Sequence, residues 1–480
     1  MKTKMNFKYV MLACATLAVS FMSCSKDDGN DTEVPQEGAK TFMSITLKQE
    51  VASTRYLTED AAKPEEVAIK RAKVYVFSSV KVLEQVQDLA VDGGTGVANA
   101  IFETTVGNHY FVATANEPAG ITVPLGTGLY EMVTILNGID KNKFDTYTTD
   151  GEFFMTSGVD ANTYRDIETA SRNIIASDEA NAPTNNPVIV KIGRAMAKLS
   201  FTCDLNAVNY KPSVDEVGGT ISNVKYCVTN NTTAMYYMPH FINQLFVTPF
   251  YQAYNNVFAP SDYWPALHAN QTSDPHPYQN ATGNGEDKMV TASYMMENSN
   301  EFPTYGNATI VSVEAKFTPK AIEDGGTLIN NGTFYRIKNI DNNTYVGKTI
   351  NAGTPNEKVV PLFFSSEDQA DTYAVDPLKG NFTAKDVDYS VDTYVQGLCY
   401  YIIPVRDRSK TSAACYDVIR NHYFDMAIQN VTGCGYPVPG GDDETDPKDP
   451  LDPQPYFVDV TIEVLPWVKI NQAEDLDVRP

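Results

Sequence analysis

Arg55, in the stretch VASTRYLTED at 51–60, is the residue whose chemistry stands out in this sequence, because it lies in a polar loop between two strand-like runs. An arginine in such a loop raises the hypothesis that the chain is cut at this residue. Taken alone, the same side chain is an ordinary solvated charge. The processing hypothesis therefore depends on the elements that flank the loop.

The sequence contains no pattern for catalysis by the chain itself. No nucleophile elbow, phosphate loop or zinc-hydrolase motif occurs, and the histidines form no ligand pair at helical or hairpin spacing. The acidic run at 442–452 lacks the central glycine and regular ligand spacing of a calcium loop, so we interpret it as a solvated spacer. We expect no enzyme activity, no cofactor and no metal site. The five histidines are His109, His240, His268, His276 and His422.

The N-terminal residues have the pattern of a secretion signal. Lysines precede an apolar stretch from Val10 to Met22, which is too short to span a membrane and ends in Ser23-Cys24. A small residue before a cysteine at this place resembles the lipobox of bacterial lipoproteins, which predicts that Cys24 is lipidated, with palmitate among its acyl chains. The alternative is that an ordinary signal peptidase cuts nearby and Cys24 is incidental. The following CSKDDGND resembles the acidic export tag of surface lipoproteins in Gram-negative anaerobes.

Charge and cysteine content narrow the class of protein further. The 60 acidic and 37 basic residues give a net charge of -23, which disfavours nucleic acid and anionic lipid surfaces as partners. The cysteines after Cys24 are odd in number and lack the spacing of a zinc site or redox motif, so we expect mostly buried apolar fillers, with one or two bridges left open. They are Cys203, Cys227, Cys399, Cys415 and Cys434.

Short alternating or apolar runs dominate the body and predict a mostly β protein. Runs such as KVYVF at 73–77 and ATIVSVEAKFTP at 308–319 are separated by clusters of Asn, Gly, Asp and Pro. This spacing is typical of β-sandwich modules. We place the boundary between two modules near Lys198. The aromatic-rich, aperiodic stretch 235–300 is interpreted as a long excursion from the second module.

An amphipathic strand is predicted near each end of the body. In FMSITLKQ at 42–49, Met43, Ile45 and Leu47 alternate with polar residues. The stretch 436–455, rich in Asp and Pro, predicts an extended, solvated tether. Beyond it, the run YFVDVTIEVLPWVKI at 456–470 again alternates, with apolar residues at Val458, Val460, Ile462 and Val464.

The two strands and Arg55 suggest one process. A cut at Arg55 would free the first strand and open a slot, which the tethered strand of a neighbouring copy could fill by donor-strand pairing. A head-to-tail contact of this kind does not close and generates a filament. Alternatively, the last run pairs within its own domain, and Trp467 either fills a neighbour's groove or closes a local core. Cleavage at Lys70 or Arg71 is a second candidate, which we disfavour because it would damage the KVYVF strand.

These features together resemble the type V fimbrillins, the FimA/Mfa-type pilins of Gram-negative anaerobes. The resemblance rests on the lipobox, the early strand before Arg55, PVIVKIGRAMAKLSF, RNHYFDMAIQNVTGCGYP, the Asp/Pro linker and the closing VDVTIEVLPWVKI. It implies a mostly β fold of two transthyretin-like β-sandwich domains in tandem, with a C-terminal tethered donor strand. It also implies an outer-membrane lipoprotein that an arginine-specific protease, cutting between Arg55 and Tyr56, matures into an adhesive surface fimbria.

The resemblance gives a layout of the chain. It comprises a lipoprotein signal peptide (1–23), a propeptide with the removable strand (24–55), an N-terminal β-sandwich (56–197), a C-terminal β-sandwich with the long excursion (198–435), and the tether with the donor strand (436–480). The expected partners are like subunits, accessory pilins, the protease, and host or bacterial surface ligands.

Two other functions stay open at this point. The chain could be a monomeric surface lipoprotein that binds a glycan or host protein through the 235–300 excursion. It could also be a fimbrial tip or anchor subunit, although the presence of both a processing site and a donor strand favours the shaft.

Overall fold

The computed structural model is mostly β, which confirms the predicted class. It describes residues 38–49, 63–92, 98–138, 146–149, 151–157, 170–211, 213–242, 245–251, 263–264, 279–283, 292–328, 332–407, 410, 413–440, 447–451 and 468–476.

The first half of the chain forms strands joined by short helices. The strands are β1 (Lys40–Gln49), β2 (Ala72–Phe77), β3 (Leu83–Val91), β4 (Ala98–Thr105), β5 (Gly107–Ala115), β6 (Leu136–Gly138), β7 (Met155–Ser157), β8 (Ala170–Ile174) and β9 (Pro187–Arg194). The helices are α1 (Pro64–Val67), α2 (Leu129–Val133) and α3 (Ala182–Asn185).

The strands of this half close into a barrel. Hydrogen bonds link them in the order β2-β3-β4-β1-β9-β7-β5, and a further β2–β5 pairing completes a ring of 7 strands, with β8 extending along β5. We expected a sandwich of two separate sheets. The ring arises because β2 is paired along both of its edges, with β3 and with β5, so no break separates two sheets. Inward-facing residues such as Val74, Phe111 and Met155 fill its core.

The second half contains more and shorter strands. They are β10 (Ala197–Thr202), β11 (Asn209–Tyr210), β12 (Gly219–Thr229), β13 (Asn231–Thr232), β14 (Ala234–Tyr236), β15 (Phe241–Ile242), β16 (Leu245–Phe246), β17 (Tyr263–Trp264), β18 (Gln279–Asn280), β19 (Ser293–Met295), β20 (Ile310–Pro319), β21 (Phe334–Asn339), β22 (Thr344–Tyr345), β23 (Gly347–Ile350), β24 (Lys358–Pro361), β25 (Tyr389–Tyr394), β26 (Leu398–Pro404), β27 (His422–Val431) and β28 (Val468–Leu476). The helices are α4 (Val214–Val217) and α5 (Glu367–Val375).

Two sheets of this half pack against one another. One has the order β11-β27-β10-β19, with β28 paired to β27, and the other has the order β18-β12-β20-β26. Leu199 and Phe424 from the first sheet share one apolar cluster with Val313 and Tyr401 from the second. The second half is therefore built as a sandwich.

Residues 320–397 are an insertion that the sequence did not reveal. They connect β20 to β26, which are direct neighbours in their sheet, and they carry β21 to β25 and α5. Ile337, Phe364, Ala374 and Tyr389 form a separate small core there.

The beginning of the aromatic-rich excursion at 235–300 packs against the first half of the chain. Its first strand, β14, pairs with β6 of the first half, and Met235, Tyr237 and Met238 are buried against Phe77 on the barrel. Periodicity cannot predict this contact, because the buried residues follow no regular repeat.

The cysteines in the described ranges are all free and buried, as expected of apolar fillers. Burial raises the pKa of Cys399 to about 12 and that of Cys415 to about 11, so both thiols are protonated at neutral pH. In the same ranges, no helix is long and apolar enough to cross a membrane. No group of three or more His, Cys, Asp or Glu side chains is placed to hold a metal ion among these residues.

Candidate functional site

The first strand lies inside the barrel wall, between two strands that are distant from it in sequence. Residues 40–46 of β1 pair antiparallel with 99–105 of β4, and residues 44–49 pair parallel with 187–192 of β9. We call the space that β1 occupies between β4 and β9 the slot. The slot is lined on both sides by backbone ladder groups.

The alternation read from the sequence matches the burial of β1. Met43 and Ile45 are 0% exposed and Leu47 is 3% exposed, while Ser44 and Thr46 are half-buried. The three apolar side chains belong to the core of the barrel. Burial of such side chains stabilises by about 1.5–3 kcal/mol each, so β1 is held strongly by side chains as well as by the ladders.

The start of the slot is closed by the connection between β8 and β9. The amide of Phe42 donates to the carbonyl of Ser177 at 3.2 Å, and the amide of Ser44 donates to the carbonyl of Asn186 at 3.1 Å. The Thr41 hydroxyl donates to the carbonyl of Ile175 at 2.8 Å and accepts from the amide of Ser177 at 2.8 Å. This end therefore contacts the backbone of the strand at Phe42 and Ser44 and its side chain at Thr41.

One wall of the slot depends on β1 for its pairing. Among the described strands, residues 187–191 of β9 pair only with β1, and the pairing with β7 begins at Ile192. Loss of β1 would leave these backbone groups without ladder partners next to an apolar groove. Unpaired strand edges of this kind favour pairing with another strand.

The predicted cleavage site lies outside the described residues. Arg55 and Tyr56 fall between Gln49 and Lys63, and nothing is described there. The window 50–62 contains one basic residue, Arg55. The two ends of the window are fixed, by β1 on one side and by α1 on the other.

The alternative cleavage site at Lys70 and Arg71 is held by backbone hydrogen bonds. The Asn116 side chain accepts from the amide of Lys70 at 2.8 Å, and the Asn116 amide donates to the Arg71 carbonyl at 2.9 Å. The Arg71 side chain also bonds Glu152 at 2.9 Å. A protease must draw its substrate into an extended form, so this geometry disfavours cleavage at Arg71.

A buried charged cluster anchors the chain just after the window. The Glu66 carboxylate is 0% exposed and accepts from Lys198 Nζ at 2.7 and 2.9 Å and from the Tyr294 hydroxyl at 2.6 Å. The guanidinium of Arg194 donates to the Glu66 carbonyl at 2.9 Å. We call these four residues the Glu66 cluster. It joins α1 to β9, β10 and β19, at the place where the sequence put the domain boundary.

The predicted tether is partly docked on the body. Leu451 is 3% exposed, packs beside Tyr416, and donates its amide to the Pro303 carbonyl at 2.9 Å. At the other end, Tyr436 and Tyr400 exchange two backbone hydrogen bonds at 2.9 and 2.7 Å. The expectation of a solvated tether over 436–455 is therefore wrong for these residues, because an apolar side chain at 451 finds an apolar site.

The C-terminal strand pairs with the second half. β28 runs parallel to β27, with Val468 opposite His422 and Leu476 opposite Val431. Since β10 also pairs with 423–427 of β27, β10 and β28 lie on opposite edges. The predicted donor residues Val458, Val460, Ile462, Val464 and Trp467 lie outside the described residues, as does Cys24.

Comparison with known proteins identifies the C-terminal part. Residues 392–473, from β25 through β26 and β27 into β28, match the family described as "Major fimbrial subunit protein type IV, Fimbrillin, C-terminal". The chain carries the C-terminal region of a fimbrillin. The resemblance inferred from the sequence is thereby confirmed, and a structural role as a fimbrial subunit or adhesin at the cell surface is supported.

Solved structures with weak similarity cover most of this fimbrillin-like chain. The fimbrilin FimA of Porphyromonas gingivalis W83 is 14% identical, with 91% of this chain and 99% of that chain covered and a TM-score of 0.41. A putative cell adhesion protein of Parabacteroides distasonis is 12% identical, with 92% and 99% covered and a TM-score of 0.44. These values are low, so the assignment rests on the family match. No curated protein matches the sequence.

Sequence reasoning missed several residues that shape the slot and its surroundings. Asn186, Glu66 and Asn116 hold turns or connections by hydrogen bonds between distant segments. None of them belongs to a periodic run. The sequence contains one indication of the Glu66 cluster, which is that Glu66 and Lys198 are charged residues next to apolar segments. This does not predict that their side chains form an ion pair.

The buried His422 predicts a pH dependence of the fimbrillin C-terminal region. Burial lowers the pKa of His422 to about 4 from an ordinary value of 6.5. Because this pKa is lower in the folded state than in the unfolded state, the contribution of neutral His422 to the free energy of unfolding is fully present above pH 6.5. It is lost as the pH falls through about 4. The loss expected from this shift is on the order of 3 kcal/mol.

The measurement is chemical unfolding of wild type and His422→Asn between pH 4 and 7.5. The His422 ring donates through Nδ1–H to the Arg420 carbonyl at 3.1 Å, and asparagine can donate there without titrating. The variant should show a smaller fall in stability towards low pH. An equal fall in both proteins would assign the pH dependence to other groups.

Proposed function

We propose that this fimbrillin is a structural pilin subunit that polymerises into adhesive surface fimbriae by protease-triggered strand exchange. The observation that carries the proposal is the position of β1. It is the first described strand of the chain, it lies in the middle of a closed sheet, and every inward-facing residue from Thr41 to Leu47 is buried. A strand so placed can leave only if the chain after it is cut.

The replacement strand fits the slot by its pattern. The inward-facing positions of β1 are 41, 43, 45 and 47, and the C-terminal run offers four aliphatic residues at the same spacing, Val458, Val460, Ile462 and Val464. Donation by a neighbouring copy would restore both ladders and the apolar contacts. Trp467 extends the apolar character of the run, on the far side of Pro466.

Export and maturation complete the proposal. Lipidation at Cys24 would hold the unprocessed chain at the outer membrane, and an arginine-specific protease would then cut between Arg55 and Tyr56. The domain layout 56–197, 198–435 and 436–480, and a tandem transthyretin-like arrangement, belong to this proposal. Support for the layout comes from β9 and β10, which end and begin on either side of residues 195–196 and belong to different sheets.

The second candidate, a monomeric adhesin that binds ligand through 235–300, has less support. The beginning of that excursion is used internally, since Met235, Tyr237 and Met238 are buried against the barrel. These side chains are therefore not available to a glycan or a host protein.

The test is Arg55→Ala, with Arg71→Ala as the matched control. After limited treatment with an arginine-specific protease, wild type and Arg71→Ala should lose the segment before Tyr56 and form heat-resistant ladders on gels. Arg55→Ala should stay intact and monomeric, a loss of polymer of at least 10-fold. Ladders from Arg55→Ala, or wild type that is cut at Arg55 but stays monomeric at high concentration, would contradict the proposal.

A further inference from the structure

The slot contains a residue that holds the backbone of the inserted strand. The Asn186 side chain is 0% exposed and lies at the junction of α3 and β9. Its Nδ2 donates to the Phe42 carbonyl at 2.7 Å and to the Ile175 carbonyl at 2.8 Å, while its Oδ1 accepts from the Ile175 amide at 3.0 Å. The backbone of Asn186 contributes a further bond, from the Ser44 amide.

These contacts do not depend on which side chains the strand carries. Phe42 is bound through its carbonyl, and Ser44 through its amide. Every extended peptide presents the same two groups at the same spacing. By contrast, the hydrogen bonds of the Thr41 hydroxyl to Ile175 and Ser177 are made by a side chain, and an aliphatic residue at that position would lose them.

We propose that Asn186 is a positioning residue of the slot, which binds the main chain of β1 and, after exchange, the main chain of the strand donated by a second copy of this chain. This inference rests on the proposed function. Asn186 contributes equally to both strands, because it contacts groups that both have in common. Thr41 contributes only to the retention of β1.

The experiment measures exchange of fluorescent peptides into the full chain after it has been cut at Arg55. The peptides are residues 38–49 and residues 456–470, and anisotropy reports their release. Asn186→Ala should speed the release of both peptides by a similar factor of roughly 10- to 100-fold, since a buried carbonyl and amide lose their partners. Asn186→Asp should speed it more, because a carboxylate would face two carbonyl oxygens.

Asn185→Ala is the matched control. Asn185 is the preceding residue of the same connection, and its side chain donates to the Ser177 hydroxyl at 3.1 Å instead of to β1. It should leave both release rates within about 3-fold of wild type. If Asn186→Ala changes the release of only one peptide, or of neither, the inference is wrong. If Asn186→Ala does not fold, Asn186→Ser serves in its place, since serine is too short to reach Phe42.

A second measurement separates this inference from the proposed function. In the uncut chain, amide hydrogen exchange at Phe42 and Ser44 should be faster in Asn186→Ala than in Asn185→Ala. Equal exchange rates would overturn the inference without reference to polymerisation. If wild-type protein takes up neither peptide after the cut, the proposed replacement of β1 by a donated strand is wrong. The rates of amide hydrogen exchange at Phe42 and Ser44 in the uncut chain still decide whether Asn186 holds the strand.

Discussion

Deletion of residues 456–480 is expected to abolish polymer formation after cleavage at Arg55. The deleted run carries the four alternating aliphatic residues that we propose for the slot, Val458, Val460, Ile462 and Val464. Burial of these side chains would contribute about 1.5–3 kcal/mol each, and ladder hydrogen bonds about 0.5–1.5 kcal/mol each. After the loss of association entropy and chain entropy, a joint on the order of 10 kcal/mol is expected. Without the run, the cut protein should remain monomeric on gels and in light scattering.

Because the deletion also removes β28, a finer variant is needed. Val460→Asp with Ile462→Asp in the full-length chain keeps β28 and its pairing with β27, and places two charges where apolar residues are required. It should also fail to form ladders. A chain lacking only 477–480 is the control and should polymerise as wild type does. Polymers from the Asp variant would show that another segment fills the slot.

The docking of Leu451 also limits where the neighbouring subunit lies. If Leu451 stays in its site, residues 452–457 link it to the donor run, a distance of about 20 Å at about 3.3 Å per residue.

Breaking the Glu66 cluster is expected to destabilise the protein strongly. Lys198 and Glu66 are both fully buried, and removal of one partner leaves an uncompensated charge. Lys198→Met or Glu66→Gln alone should lower the free energy of unfolding by about 3–5 kcal/mol, and the double variant should recover part of this loss because neither member of the Lys198–Glu66 pair is then left charged without its partner. Guanidinium unfolding of the cut and uncut chain gives the values.

The matched control is the exposed pair of Lys40 and Glu103, whose side chains are 79% and 48% exposed. Lys40→Met should change the free energy of unfolding by less than about 1 kcal/mol. If Lys198→Met were as mild as Lys40→Met, the Glu66 cluster would not anchor the chain that follows the cut.

Several features of the fold could be predicted from local pattern. The alternation of Met43, Ile45 and Leu47 predicted a strand with one buried face, and the structure shows that face in the barrel core. The scattered cysteines predicted buried thiols, which the structure also shows. Both predictions succeed because burial of an apolar residue on a strand depends on its immediate neighbours.

Other features could not be predicted because they depend on contacts between distant segments. The closure of the barrel depends on a pairing of β2 with β5, and a strand pattern does not specify its partners. The docking of Leu451 and the packing of Met235 on the barrel each involve single apolar residues in aperiodic stretches. Asn186 and Glu66 are polar residues that each have a partner more than 100 positions away in the chain, Phe42 for Asn186 and Lys198 for Glu66.

The sequence by itself determined that the chain is mostly β, that its early strand has one apolar face, and that its C-terminal region resembles that of fimbrillins. Side-chain alternation and family motifs are properties of short segments, so they can be recognised from the amino-acid sequence alone. Only the tertiary structure decided that β1 lies between β4 and β9, with the carbonyl of Phe42 held by Asn186. Strand partners and buried hydrogen bonds depend on which distant segments pack together. The local pattern of apolar and polar residues does not predict which segments these are.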